Sequence, residues 1–250
     1  MGLTNETYFD KDEFMSVSLF KKLMHCEEDG LTDFGTPSSS MLVGSYVDAY
    51  VEGTLDTFIE EHPEIVSSRG ATKGELKAEF KKAEEICRFI DGDETIQQFL
   101  SGEKQRIMTG VINGVPFKIK MDAYSEGIAI NDLKVMYTIT DGNGNYIDFI
   151  TKYGYDIQLA VYQEIVRQNT GLQLPCFIVA VTKEDVIDSA IINIPQDVLD
   201  RALGLVDVLA PHLYDVKMGK VQAVGCGKCA TCKSKRKKTP IISMEEFYVK

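Results

Sequence analysis

The segment QRIMTGVINGVPFKIKMDAY, residues 105–124, constrains the fold more than any other part of the chain. Apolar and polar residues alternate with a period of two on both sides of Asn113-Gly114. Such alternation marks a half-buried strand, and Asn-Gly between two such runs is a strong two-residue hairpin turn because both positions accept positive φ. A further run, IAINDLK, begins just after Ser125, Glu126 and Gly127, so a third strand is expected beside the second. A chain with this centre has to build a sheet.

Helical spacing on either side supplies the cover. Ser16 or Ser18 can cap a short helix, SVSLFKKLMHC, with Leu19, Phe20 and Leu23 on one face and Cys26 at its end. TPSSS introduces a second helix over about 41–55. Residues 73–90 place Leu76, Phe80, Ala83, Ile86, Cys87 and Ile90 on one face of a charged, amphipathic helix. After a polar loop containing DGNGN comes a helix around YGYDIQLAVYQEIVRQ, closed by Asn169 or Gly171. CFIVAVT then reads as a buried strand with SAIINI as its pairing partner, and a helix over about 196–214 precedes a cysteine-bearing tail. The order predicts an α/β or α+β sheet with helices on its faces. No internal repeat is visible.

At 250 residues and 44% hydrophobic content, the chain is expected to form a single domain over 1–250 with a basic, cysteine-containing segment at about 222–240. Residues 1–14 carry no apolar core of signal-peptide length, and no apolar run approaches the ~20 residues that span a bilayer, so a cytoplasmic protein without membrane attachment is expected. The formal charge of −11 excludes wrapping nucleic acid with the whole surface. Any such contact has to be local, and Lys233, Lys235, Arg236, Lys237 and Lys238 crowd one place in the tail.

Two groups of residues carry chemistry. Asp122 closes the second strand of the hairpin and Asp132-Leu133-Lys134 closes the next. If these strands are neighbours, both carboxylates converge at one end of the sheet, and the period of two puts Asp132 and Lys134 on one face. Two carboxylates and an ammonium suit a hard cation such as Mg²⁺ or Mn²⁺ and a phosphodiester hydrolysis in which the lysine prepares water. A D-x-K tripeptide alone is commonplace on a solvated strand face. Here it lies within MDAY and IAINDLKVM, strands otherwise fit for burial, where an unpaired charge is costly. The second group is Cys226-x-x-Cys229-x-x-Cys232, a thiolate spacing of iron–sulfur and zinc sites in which three ligands need a fourth, with His25 and His212 among the candidates, unless the thiols stay reduced and hold no metal. Cys87 and Cys176 fall on apolar faces, as core residues do, and Phe14, Phe20 and Phe58 are read the same way. His62 has no evident partner, and Lys118 and Lys120 read as solvated strand lysines.

Over roughly 16–238 these motifs resemble the PD-(D/E)XK nucleases, and among them the phage and prophage exonucleases similar to RecE and to the RecB nuclease domain. The resemblance implies a restriction-endonuclease-like central mixed sheet flanked by helices. It implies that Asp122 and Asp132 bind Mg²⁺ or Mn²⁺ with the Leu133 carbonyl, that Lys134 is catalytic, and that Gln158 and Tyr162 form the family's Gln-x-x-x-Tyr pair, reaching the DNA backbone or steadying the lysine. The family's G-x-x-x-H motif reads Gly44-Ser-Tyr-Val-Asp48 here, so an aspartate stands at the histidine position, with Glu52 one turn on. Glu103 resembles a family acidic position and is taken as a supporting residue. In RecB-like nucleases a cysteine near the first helix joins three at the C-terminus on a [4Fe–4S] cluster, which implies Cys26, Cys226, Cys229 and Cys232 as its ligands; a zinc site with the same residues is the alternative. The implied activity is exonucleolytic, at double-stranded DNA ends, feeding a single-strand annealing partner, with a homo-oligomer expected. A RecB-like or CRISPR-adaptation nuclease and a non-catalytic DNA-binding protein are the rival readings.

Overall fold

The structure, a computed structural model, describes Tyr8 and residues 13–32, 35–239, 241 and 243–244. In chain order the elements are β1 (Met15–Ser16), α1 (Val17–His25), α2 (Glu27–Gly30), α3 (Ser39–Glu52), α4 (Leu55–Glu61), α5 (Ala78–Gly92), α6 (Glu94–Phe99), β2 (Glu103–Ile112), β3 (Val115–Ser125), β4 (Ala129–Met136), α7 (Phe149–Tyr153), α8 (Tyr155–Thr170), β5 (Cys176–Thr182), β6 (Ser189–Ile194), α9 (Gln196–Lys217) and α10 (Ala230–Ser234).

The expected hairpin forms. Asn113 and Gly114 sit at φ 44° and 78°, the paired positive values of a type I′ turn, and β2 and β3 pair antiparallel from Ile112↔Val115 out to Glu103↔Tyr124. β4 is antiparallel to β3, parallel to β5, and β6 closes the far edge antiparallel to β5. The two-residue β1 runs parallel to β3 at Phe117 and Lys118. The result is a six-stranded mixed sheet flanked by helices, the architecture expected from the order of elements.

Two apolar clusters occupy the two faces. On one, α1, α8 and α9 pack Phe20, Leu23, Leu159, Ile165, Leu199 and Val206 against Phe117, Ile119, Ile130 and Ile178 of the sheet. On the other, α3 and α5 pack Val43, Val47, Phe80 and Ile86 against Ala123, Leu133, Val179 and Val181. Ile178 and Val179 fall in opposite clusters, as the period of two requires. Both faces of β5 are therefore dry, which is why CFIVAVT is apolar throughout.

Helix boundaries differ from the sequence expectation where glycine and local pairing intervene. Gly53, at φ 78°, ends α3 before Leu55, which starts α4 instead. The helix expected from 73 begins at Ala78, because Leu76 forms an antiparallel bridge with Val66. Ser16 rather than Ser18 caps α1, its hydroxyl accepting the Leu19 N–H at 3.2 Å. Phe20 and Phe58 are buried core residues, while Phe14 is half-buried. No helix among the described residues is long and apolar enough to cross a membrane.

Candidate active site

The ladder between β3 and β4 lasts only three pairs, Ser125↔Ala129, Tyr124↔Ile130 and Ala123↔Asn131. The next opposed positions are Asp122 and Asp132, and there the strands part. β4 continues alongside β5, whereas the same edge of β3 is taken up further back by β1. The Asp122 side chain spans the opening: its Oδ2 accepts the Leu133 N–H at 3.0 Å. A backbone donor freed by the fork is thus satisfied by the carboxylate that faces it.

Asp132 is fully buried, and its two oxygens have different neighbours. Oδ1 accepts from Gln158 Nε2 at 2.8 Å. Oδ2 is ion-paired with the Lys134 ammonium, which also stands 3.9 Å from Asp122 Oδ2 and donates to the Leu133 carbonyl at 3.0 Å. Burial disfavours the Lys134 cation, but Asp132 and Asp122 outweigh it and raise its pKa above the usual lysine value. Burial, then the negative Asp132, pushes the Asp122 carboxyl well above the ordinary range. Burial likewise raises Asp48, on α3, to about 7. The Lys134 ammonium stands among three carboxyl groups, those of Asp48, Asp122 and Asp132.

Gln158 and Tyr162, four residues apart on α8, brace the site from beneath. Gln158 Nε2 also reaches Tyr162 Oη at 3.2 Å, and that hydroxyl donates to the Lys120 carbonyl at 3.0 Å, two residues before Asp122. Tyr162 is buried, so the pair holds Asp132 and the β3 backbone. Lys21 of α1 completes this layer, its ammonium 3.4 Å from Gln158 Oε1 and 3.2 Å from the Tyr153 carbonyl. The Tyr155 ring lies 5.3 Å from the Lys21 ammonium and 5.1 Å from that of Lys134. Burial and the proximity of Lys134 lower the pKa of Lys21 to about 8.

Opposite them a cleft of about 340 Å³ is lined by Asp48, Glu52, Glu61, Gln105, Lys120 and Asp122, among others. Gln105 adopts φ 53°, in the left-handed region unusual for a residue with a side chain, at the β2 position facing Asp122, where the ladder skips a pair. Its amide donates to Glu52, and its buried Oε1 has no hydrogen-bond partner among the described residues. The site thus gains Lys21, Gln105 and Tyr155 beyond the residues expected from sequence. Gln105 was accessible to sequence reasoning, because a hairpin turning at Asn113-Gly114 pairs 105 with 122. Lys21 and Tyr155 carry no such signal. Glu103 stays outside, its exposed carboxylate paired with Arg106 at 3.1 Å. Lys118 is buried and donates to the Tyr8 carbonyl, so it is not a solvated strand lysine. His62 pairs with Glu64 at 2.9 Å.

Hard oxygen donors and two carboxyl groups with raised pKa, crowded at the fork, are what a divalent cation would relieve, so this donor set fits Mg²⁺ or Mn²⁺. Asp48, Asp122 and Asp132 do not close on a single point in the way the thiols do. Among the described residues, the close-set group of ligating side chains is Cys26, Cys226, Cys229 and Cys232, all with Sγ atoms within 4.8 Å of one another. His25 and His212 are not part of it, and His212 bonds Glu27 at 2.7 Å. Cys87 and Cys176 are buried core thiols.

A family model described as a PDDEXK-like domain of unknown function, DUF3799, matches residues 16–235. The chain belongs to this family. Within this PDDEXK-like domain the matched span runs from the cap of α1 to the end of the thiol-bearing tail, so both residue groups lie inside it. A crystal structure of a candidate exonuclease from Eubacterium rectale is 43% identical, covering 100% of this chain and 99% of that one, with a TM-score of 0.87. The structure of SSO0001, 14% identical over 81% of this chain and 88% of its own, has a TM-score of 0.30 and is too distant to inform the site. No curated protein matches the chain.

Proposed function

We propose that this PDDEXK-like domain is a Mg²⁺- or Mn²⁺-dependent deoxyribonuclease that hydrolyses phosphodiester bonds from the ends of duplex DNA. The observation that carries the reading is the β3–β4 fork, which opposes Asp122 and Asp132 and sets Lys134 against both. Asp48, Asp122, Asp132 and the Leu133 carbonyl are the groups that would hold the cation. When bound, it would supply Lewis acidity and lower the pKa of water.

The chain's own residues do the rest. Lys134, kept protonated by its neighbours, can orient the attacking water or neutralise a phosphate oxygen. Gln158 fixes the Asp132 carboxylate, and Tyr162 fixes the strand that carries Asp122. Lys21 adds a positive charge beside the fork at neutral pH and below. Exonucleolytic action is supported by the description of the Eubacterium rectale relative. Supply of single strands to an annealing partner, and assembly of several copies around DNA, belong to the same reading.

Incubation of the purified chain with Mn²⁺ or Mg²⁺ and two substrates, end-labelled linear duplex and covalently closed circle, tests it. Loss of the linear DNA alone is the expected result, with Asp132→Asn and Lys134→Ala each lowering the rate by at least about 10³-fold. Cleavage of the circle would redirect the reading to an endonuclease, and a folded wild-type chain inert on both would overturn it.

A further inference from the structure

We propose that Cys26, Cys226, Cys229 and Cys232 hold one tetrahedral zinc ion rather than an iron–sulfur cluster, and that the ion clasps the carboxyl-terminal tail to the end of α1. The sulfur spacing decides between the two. Cys26 Sγ lies 3.6 Å from Cys232 Sγ and 3.7 Å from Cys229 Sγ, and Cys226 Sγ lies 4.0 Å from Cys232 Sγ. Four thiolates at the zinc–sulfur distance of about 2.3 Å stand about 3.8 Å apart along the edges of a tetrahedron. On a [4Fe–4S] cubane each thiolate binds a different iron from outside, which sets the sulfurs roughly 6 Å apart. No pair in this quartet exceeds 4.8 Å. The cubane implied by the family resemblance therefore does not fit between these residues.

The surrounding backbone is shaped for thiolates. Cys226 Sγ accepts N–H groups from Lys228 at 3.4 Å and Cys229 at 3.3 Å, Cys26 Sγ accepts from Cys226 at 3.3 Å, and Cys229 Sγ accepts from Cys232 at 3.4 Å as the cap of α10. Donors aimed at sulfur stabilise its anionic, ligating form. Two glycines make the loop possible. A Cβ on Gly225 would sit 2.9 Å from Cys232 Sγ, and Gly227 lies at φ 72°. Cys26 and Cys232 are buried while Cys226 is exposed, so the ion would be reached from the tail side.

The first helices meet the tail through more than the thiols. Glu27 accepts the Val224 N–H at 2.7 Å, Glu28 pairs with Lys235 at 3.0 Å, and Thr231 donates to Asp29. The basic residues that follow offset the negative charge of a four-thiolate site. Cys26 caps the end of α1, the helix that carries Lys21, so the clasp also anchors the helix that brings Lys21 to Gln158.

The test is metal content. The full chain is expressed in medium containing both iron and zinc, purified without oxygen, and assayed for zinc, iron and acid-labile sulfide. Close to one zinc per chain, no labile sulfide and no visible absorbance band is expected. Iron in any form overturns the proposal, and so does a folded protein with neither metal. Cys226→Ser, at the exposed ligand, should release zinc to a chromogenic chelator at least about tenfold faster than wild type, whereas Cys87→Ser should release it at the wild-type rate. Equal release from both variants would also overturn the assignment. None of these readings depends on DNA cleavage.

Discussion

Gln158 holds Asp132 through an amide N–H and also meets Tyr162 and Lys21, polar contacts that a hydrophobic residue of similar size cannot make. Gln158→Leu should therefore weaken activation by Mn²⁺ by about 10–100-fold while preserving the helix, read from the Mn²⁺ dependence of turnover. Lys21 makes a pH-dependent prediction. Its pKa falls from the ordinary lysine value to about 8 on folding, so between pH 8 and the unfolded value the denatured chain binds the extra proton. Its cost to stability is fully present below pH 8 and is relieved as pH rises through that range. Urea midpoints measured without added Mg²⁺ should rise from pH 8 to 10 in wild type relative to Lys21→Met; parallel profiles would refute this. At this scale the sequence displayed the residues that repeat in register. Asp122, Asp132 and Lys134 were visible because strand period and hairpin symmetry project them, and Gln158 with Tyr162 because helix period does. Lys21 and Tyr155 reach the same place only through packing of α1 and α7–α8 against the sheet, which no local pattern encodes.

Among the elements, β3 works hardest: it pairs with β2 along one edge and is shared by β1 and β4 along the other. Its far end is also where α6 turns into β2. A Cβ on Gly102 would lie 2.6 Å from the Tyr124 carbonyl carbon and oxygen, backbone atoms that cannot swing aside. Gly102→Ala should consequently destabilise the fold by about 2 kcal/mol or more, measured by urea unfolding. β2, β3 and β4 were legible because alternation and an Asn-Gly turn specify period and register, and β5 because it is a short apolar run; the two-residue β1 was missed. The short helices α2, α4, α6, α7 and α10 were not, since pieces of four to seven residues hold too little periodicity to stand out. The fork itself was also hidden: a period of two says which residues face one another but not where a ladder stops.

Across the whole molecule the charge balance of −11 makes nucleic-acid contact depend on where the few cations are concentrated. If the chain engages duplex DNA as proposed, the exposed Lys233, Lys237 and Lys238 form one such place. Replacing all three by serine should lower the slope of log affinity against log salt by about 2–3, seen by fluorescence anisotropy with Asp132→Asn as background; an unchanged slope would place the DNA elsewhere. The order of residues revealed this local concentration, and the succession of strand and helix periods the class of fold, but not that the basic tail folds back on α2. That return has a consequence for how the protein is made. Cys26 leaves the ribosome some 200 residues ahead of Cys226, so at roughly 5–20 residues per second its thiol waits ten to forty seconds for its partners. During that interval the Cys26 thiol shares the growing chain with Cys87 and then Cys176, so the order of synthesis and the reducing power around it bear on whether the quartet forms rather than a wrong disulfide.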